Sequence, residues 1–546
     1  MSADVLLLNL TRFGDLLQSQ PLIQDLHDSG HRVGLVCLDN FAAALPLLRH
    51  VDAAWPLPGA KLMAALDRHW QTAAAALLDL ARRIREEARP SRVVNLTPSL
   101  PGRLLAKLLA PSPEAVLGFG LDAEGFGVNR GIWSSFLSGA TLRRLNAPFN
   151  LVDMFRMVGA PLCAPGIAAR PGLFSLQTPP AEALAHADAL LAEPENPPGG
   201  GRVQGFVALQ LGASEARRQW PTAYFAALGD RLWHEAGLCP VLLGAPAESP
   251  LAQEYAARAR APFINAVGRT NIPQLAALLT RTRLLATNDT GTMHLAAGLG
   301  LPCLAFFLAT AQPWDTGPYL PGCCCLEPAL ACHPCPYNQA CPHDQACLAR
   351  ISPRRAGDLI LARLESGDWQ AGLSPELCRE ARVWLTETDE LGFARVRSLS
   401  GHEREDRSLW LNRQRLFWRH ILDDLESTAD GAHGRTARAE ARTPDAPPCS
   451  PAFAARVAPV LDQAARLLDM LAEQGRLTGK SPRAGQLFLL NCERLQNLLD
   501  ACPPLASLGY FWRELRQARG GRMDELLRFV GLLAGHLRRW AANMAI

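Results

Sequence analysis

The residues Asn288-Asp289-Thr290-Gly291-Thr292-Met293-His294 follow a short apolar run and lead into Leu295-Ala296-Ala297-Gly298-Leu299-Gly300. This pattern predicts a strand, a polar tight turn and a helix start. Small hydroxyl residues and a glycine there let backbone N–H groups approach an anion, and the helix dipole favours negative charge at that end. A phosphate or diphosphate is the natural guest for Asp289, Thr290, Gly291, Thr292 and His294. Taken alone, the segment is equally well read as a helix capped by Asp289 or Thr290. Arg12-Phe13-Gly14-Asp15 closes the first apolar run. Gly14 gives that turn room, and the Asp15 carboxylate is placed to take a proton from an attacking hydroxyl, or to cap the helix that follows. A third turn, Gly212-Ala213-Ser214, precedes Arg217-Arg218-Gln219-Trp220-Pro221. Ser214 and the Arg218 guanidinium suit a diphosphate, whereas Arg217 reads better as a solvated surface cation. In the turn Gly244-Ala245-Pro246-Ala247-Glu248, Glu248 is a candidate acceptor for ribose hydroxyls.

The chain has 15 cysteines, many of them crowded between residues 323 and 347. Cys332 and Cys335 form a C-x-x-C turn, and Cys341 and Cys347 follow at intervals that allow four thiolates to converge on one tetrahedral ion. A structural zinc or iron stapling an otherwise coil-like insert is the reading preferred over free thiols. Cys323-Cys324-Cys325 reads as apolar filler.

These turns need a scaffold of alternating strands and helices. Residues 5–9, 32–37 and 92–96 read as strands and 16–29, 61–85 and 103–109 as helices. A Pro/Gly-rich stretch at 193–203 follows as a linker. The alternation then resumes, with strands at 206–211, 240–243, 284–287 and 303–307, helices at 224–235, 251–261 and 272–279, and a closing helix at 353–364. Such βαβ units imply parallel, doubly wound sheets that take ligands beyond the carboxyl ends of their strands. The expected domains are 1–192, 204–366 with the Cys-rich insert 323–347, an appended hairpin and helix at 367–428, a flexible linker at 429–450 and a helical bundle at 451–546.

A chain of 546 residues with 48% hydrophobic and 20% charged residues exceeds a single core. Its net charge of +3 gives no support to a nucleic-acid partner. An apolar run begins at residue 5 with no basic leader before it. The longest apolar stretch, 295–309, is shorter than a bilayer span and is broken by Gly298, Gly300 and Pro302. A cytoplasmic location is therefore expected, at most peripheral at the inner membrane.

Together the motifs resemble glycosyltransferase family 9, the lipopolysaccharide heptosyltransferase family. They occur in the family's order: R-x-G-D at Arg12 to Asp15, basic-x-Trp-Pro at Arg218 to Pro221, G-x-x-x-E at Gly244 to Glu248, and D-T-G-x-x-H at Asp289 to His294. The resemblance covers roughly residues 4–366. It implies a GT-B fold, α/β throughout, in which two Rossmann-like domains face a cleft, the first binding the acceptor and the second the nucleotide sugar, with a mainly helical C-terminal extension. It also implies inverting transfer, usually from ADP-heptose, to a glycolipid or protein acceptor. By the same resemblance Asp15 is the general base, Arg218 stands where the family commonly uses lysine on the diphosphate, Glu248 contacts ribose and Asp289 meets the donor sugar. Thr290, Gly291 and Thr292 hold the diphosphate, with His294 joining them or packing the helix. The sequence shows no D-x-D pair, so no catalytic metal is expected and Arg218 with the helix N-terminus must neutralise the leaving group. Related autotransporter heptosyltransferases carry cysteine-bound iron in a comparable insert. Two other readings stand beside this one: a sugar-nucleotide 2-epimerase, and a non-catalytic nucleotide-sugar-binding or scaffold protein. Phe126 and residues 133–137 could shape an acceptor groove or simply pack.

Overall fold

Wholly apolar runs of four to six residues become strands buried on both faces, as parallel sheets require. In the computed structural model, which describes residues 3–142, 144–195, 202–337, 339–429, 447–519 and 522–542, β1 (Val5–Leu8) has no exposed side chain. The predicted linkers fall partly outside the described residues, at 196–201 and 430–446. The chain divides into two units, Met1–Val93 with Asn150–His402, and Val94–Phe149 with Glu403–Ile546.

In the first unit β1 pairs in parallel with β2 (Val33–Leu38), and β2 with β3 (Ala53–Leu57). On the other side of β1 comes β4 (Arg92–Asn95), which runs across the boundary between the units. The direction of winding therefore reverses between β1 and β4. The helix expected at 16–29 is two, Phe13–Gln18 and Gln20–Asp28. Pro21 has no N–H to continue the first helix, and the Ser19 hydroxyl instead turns back to the Leu16 carbonyl at 2.6 Å. The helix expected at 61–85 also breaks, because His69 is extended between Gly59–Arg68 and Trp70–Ala88.

The second sheet lies within the same unit. Its strands are β7 (Gly205–Gln210), β8 (Leu238–Leu243), β9 (Ile264–Asn265), β10 (Leu285–Asn288), β11 (Cys303–Phe306), β12 (Cys324–Pro328), β13 (Ala381–Thr388) and β14 (Ala394–Ser398). The order is β14-β13-β12-β11-β10-β7-β8-β9. From β9 to β12 every pairing is parallel, while β12–β13 and β13–β14 are antiparallel. The winding reverses between β7 and β10, which makes their carboxyl ends the crevice of this sheet. Cys324 and Cys325 belong to β12, where burial raises both thiols above their ordinary range. The hairpin expected within 367–428 forms, as β13 and β14, but it is an integral edge of the sheet rather than an appendage. Its turn uses Gly392 at φ +81° and the Asp389 carboxylate, which accepts from the Leu391 and Phe393 amides at 2.9 Å. Trp384 on β13 donates its indole N–H to the fully buried Glu327 on β12 at 2.7 Å.

In the second unit β5 (Val116–Leu121) and β6 (Gly127–Arg130) form an antiparallel pair. Among the described residues five long helices follow residue 403: Asp406–Ala429, Pro451–Leu477, Pro482–Asp500, Ala506–Arg519 and Met523–Ala542. Ser450 and Ser481 cap two of them through their hydroxyls, each with proline in the first turn. The unit's core is aromatic, with Phe136 against Trp418 at 4.8 Å and Trp418 against Phe511 at 5.0 Å. Among the described residues no helix is long and apolar enough to cross a membrane.

Candidate functional site

Two buried polar residues at the carboxyl ends of β7 and β10 organise the crevice of the second sheet. The Asn288 amide donates to the carbonyls of Leu211 (2.9 Å) and Gly212 (3.1 Å), and its oxygen accepts from the Trp220 amide at 2.9 Å. One side chain thus fixes the loop after β7 at two places. Gln210 accepts from the Thr292 hydroxyl at 2.9 Å, and its amide lies 3.4 Å from Glu248. Neither residue had been singled out from sequence as a site residue. The available signal was a polar side chain at the last position of an otherwise apolar strand.

Around this clamp the predicted site residues come together. Arg218 pairs with Asp289, both almost fully buried, and donates through its other terminal nitrogen to Ser214 at 3.3 Å. Arg218 Nε is buried without a hydrogen-bond partner among the described residues. A guanidinium holding one carboxylate and retaining an unused buried donor is chemically suited to an anionic guest. Glu248 accepts from the Ala245 amide at 2.7 Å, and its carboxylate presses on Gly212, where an added Cβ would overlap it. The Gly212 turn therefore has to be glycine for the ribose candidate to sit where it does.

The helix Gly291–Gly298 begins at Thr290, whose side chain makes no capping bond. Its first amides are thus not satisfied by Thr290, one of the two residues that the sequence offered as a cap. Thr290 instead lies 3.3 Å from the Thr287 hydroxyl, and Thr292 is held by Gln210. The Arg12–Asp15 turn packs directly on this helix start. A Cβ on Gly14 would lie 2.9 Å from the His294 ring and 3.3 Å from Gly291 Cα, and one on Gly291 would lie 2.6 Å from Phe13. His294 therefore packs the helix against the first turn, and the two most chemical motifs meet through a pair of glycines.

Asp15 is half-buried in this contact. One of its oxygens faces the Arg12 amide at 3.4 Å, and the Asn9 side chain holds its backbone carbonyl at 3.0 Å. A hydrogen bond from Arg217 holds the Glu215 carboxyl below its ordinary range, against the effect of desolvation, and the charges of Arg217, Arg218 and Arg12 add to it. Arg217 is not a purely solvated cation, since it also donates to the Gln339 carbonyl of the cysteine-rich insert at 3.2 Å. Trp220 serves the core: it stacks on Phe306 at 4.2 Å and donates to the Ile351 carbonyl at 2.9 Å.

Gly14→Ala is expected to overpack this glycine contact and destabilise the chain by about 1–3 kcal/mol, read as a lower denaturation midpoint. An unchanged midpoint would mean that the His294 ring yields without cost.

The four cysteines lie apart from this cluster. Cys332, Cys335, Cys341 and Cys347 line one cavity of about 200 Å³ with Arg217 and Ala309. The amides of His343 and Gln345 each donate to the Cys341 sulfur at 3.4 Å, in a turn where Asp344 and Gln345 adopt positive φ. Burial and the neighbouring sulfurs raise the Cys335 thiol. The donor set and the amide–sulfur bonds suit a thiophilic ion, although among the described residues no three metal-ligating side chains stand at binding distance of one ion.

Two doubly wound α/β sheets, each with its crevice at a reversal of strand order, are those of the GT-B class. The chain matches the family model of glycosyltransferase family 9 (heptosyltransferase) over residues 176–343. It is 31% identical over 119 residues to lipopolysaccharide heptosyltransferase 3 of Escherichia coli, covering 20% of this chain and 35% of that protein. It is 28% identical over 101 residues to lipooligosaccharide heptosyltransferase 2 of Haemophilus influenzae, covering 18% of this chain and 29% of the relative. The aligned part thus spans about a third of these relatives' length. The structure of Escherichia coli ADP-heptose lps heptosyltransferase II aligns with 67% of this chain and 99% of that one, at 18% identity and a TM-score of 0.46.

Proposed function

We propose that the chain is an inverting glycosyltransferase that moves a sugar, heptose from ADP-heptose, onto a glycolipid or protein acceptor in the cytoplasm, with at most peripheral membrane contact. The observation that carries this reading is the packing of the Asp15 turn on the uncapped start of the Gly291–Gly298 helix beside Arg218. In the proposed reaction Asp15 takes the proton of an acceptor hydroxyl, and the freed oxygen attacks the anomeric carbon from the face opposite the diphosphate. The bond from that carbon to the diphosphate oxygen breaks with inversion. Charge developing on the leaving diphosphate is met by Arg218 and the amides of Gly291 and Thr292, with no divalent ion required. Glu248 receives the ribose hydroxyls and Asp289 faces the sugar.

In the same reading Cys332, Cys335, Cys341 and Cys347 hold a zinc or iron ion, which supplies a cross-link for the insert and takes no part in transfer. Arg217, bonded to the insert and next to Arg218, couples that insert to the donor loop.

The test is calorimetric titration with ADP-, UDP- and GDP-sugars, with metal content measured on the same sample. ADP-sugars are expected to bind most tightly and zinc or iron to be present at about one ion per chain. Tighter binding of a UDP- or GDP-sugar would overturn the donor assignment. Cys341→Ser is expected to lower metal content and the melting temperature together, and a metal-free parent sample would remove the cysteine site.

A further inference from the structure

The second unit contains a cavity of about 330 Å³, with walls drawn from two distant stretches of sequence. One stretch supplies Pro98, Arg103, Asn129 and Ser138, and the other supplies Tyr510 and Glu514 from the helix Ala506–Arg519. Pro98 lies just beyond the carboxyl end of β4, the position from which open α/β sheets reach ligands. Gly139 lets Tyr510 pack close to the helix Ile132–Leu142, because a Cβ there would lie 2.9 Å from the Tyr510 ring.

The polar groups form one connected base. Arg103 donates to the carbonyls of Pro98 (3.0 Å), Gly120 (3.0 Å) and Val128 (2.7 Å) and to the Asn129 side-chain oxygen (2.8 Å). Four of its five N–H groups are thereby engaged. Asn129 passes the chain on by donating to Glu514, which also receives the Tyr510 hydroxyl. Ser138 lies 3.4 Å from that hydroxyl. Burial raises the Glu514 carboxyl above its ordinary range even though Tyr510, Arg103 and Asn129 favour its charged form.

This arrangement selects by chemistry. Among the described residues lining the cavity the one full positive charge, Arg103, is opposed by a carboxyl, and its donors are largely spent on carbonyls, so a phosphate would find few N–H groups and a nearby carboxylate. What remains is chiefly acceptor capacity: the outer lone pairs of Glu514, and the Thr141 hydroxyl, which itself donates to the Leu137 carbonyl at 2.9 Å. Gln517 and Leu142 complete the rim with an amide and an aliphatic edge. We propose that this cavity, built jointly by residues 98–142 and the helix Ala506–Arg519, binds one neutral, hydroxyl-rich sugar ring that donates its hydroxyls to Glu514. The cavity chemistry stands without the transferase reading; only the assignment of that ring to the acceptor rests on it.

Saturation-transfer NMR on the full chain with free mannose, glucose, galactose and a heptose, and with inorganic phosphate in competition, tests this directly. At least one sugar is expected to receive saturation and to resist displacement by phosphate. Glu514→Gln replaces an acceptor oxygen by a donor among groups that already donate, and is expected to weaken the sugar at least tenfold. Leu142→Trp fills the mouth from an exposed position without touching the polar base, and is expected to abolish the signal with an unchanged melting temperature. Binding of ADP, followed on the same samples, is expected to be equal in all three proteins. Failure of every sugar to bind, survival of sugar binding in Leu142→Trp, or displacement of the sugar by phosphate would each overturn the proposal. Loss of ADP binding in the parent chain would instead count against the donor site alone.

Discussion

Asp15→Ala is expected to slow sugar transfer by about 10²- to 10⁴-fold, the usual contribution of a positioned general base, while the nucleotide sugar still binds. Asp15 lies in the first turn of the helix Phe13–Gln18, so a structural explanation has to be separated from a chemical one. Its capping contact is long, 3.4 Å to the Arg12 amide, and losing it should cost under about 1 kcal/mol. Asp15→Asn sharpens the comparison. Asparagine keeps an oxygen for the Arg12 amide but cannot accept the proton, so both variants should fold, bind donor and fail to transfer. Transfer by Asp15→Asn at the parent rate would remove the proposed base. Turnover of the nucleotide sugar to an epimer without acceptor would point instead to chemistry confined to the donor.

Arg218→Ala should have two separable consequences. Removing the guanidinium leaves Asp289 buried without its partner, a loss of about 3–5 kcal/mol in stability for pairs of this kind. It also removes the charged donor proposed to meet the diphosphate, worth about 1.5–3 kcal/mol, or roughly 10- to 150-fold in donor affinity. The double variant Arg218→Ala/Asp289→Asn separates them. Neutralising Asp289 should recover much of the lost stability, because the uncompensated charge is gone. It should not recover donor affinity, because the cation is still missing. Recovery of both would show that Arg218 serves only to hold Asp289. Arg218→Lys should fall between parent and alanine, since a lysine matches the charge without the two-nitrogen reach to Ser214 and Asp289 together.

Much of the α/β framework could be read from composition along the chain, because a strand buried on both faces leaves an uninterrupted apolar run, as at 5–8 and 303–306. The breaks at Ser19 and His69 were harder to see, since apolar spacing continues across both. The helix Ile132–Leu142 shows why 133–137 gave no clear period: Ser134, Ser135 and Ser138 are buried along with Trp133 and Phe136. Residues 133–137 are therefore packing, whereas Phe126 is exposed. For the candidate site, the glycines, hydroxyls and charges were visible as motifs. Their meeting was not, because Gly14 and Gly291 touch only after two separate sheets have formed. The hairpin at 381–398 was visible locally, but its partner β12 lies on the far side of the four-cysteine segment 332–347, and pairing at that range leaves no local trace.

The division of the chain has a consequence for how the protein is made. The backbone passes between the two units at residues 93/94, 149/150 and 402/403, so neither unit is a continuous stretch. A ribosome that has finished residue 149 has released Trp133, Phe136 and Phe149, yet Trp418 and Phe511, which complete that aromatic core, are still more than 250 residues away. The nascent segment must therefore stay soluble through the synthesis of the whole second sheet. Loop closure over such a separation is slow and leaves apolar surface open to aggregation. Of the two units, the one holding the candidate donor site has all its residues by His402, and the helical unit is the last to close.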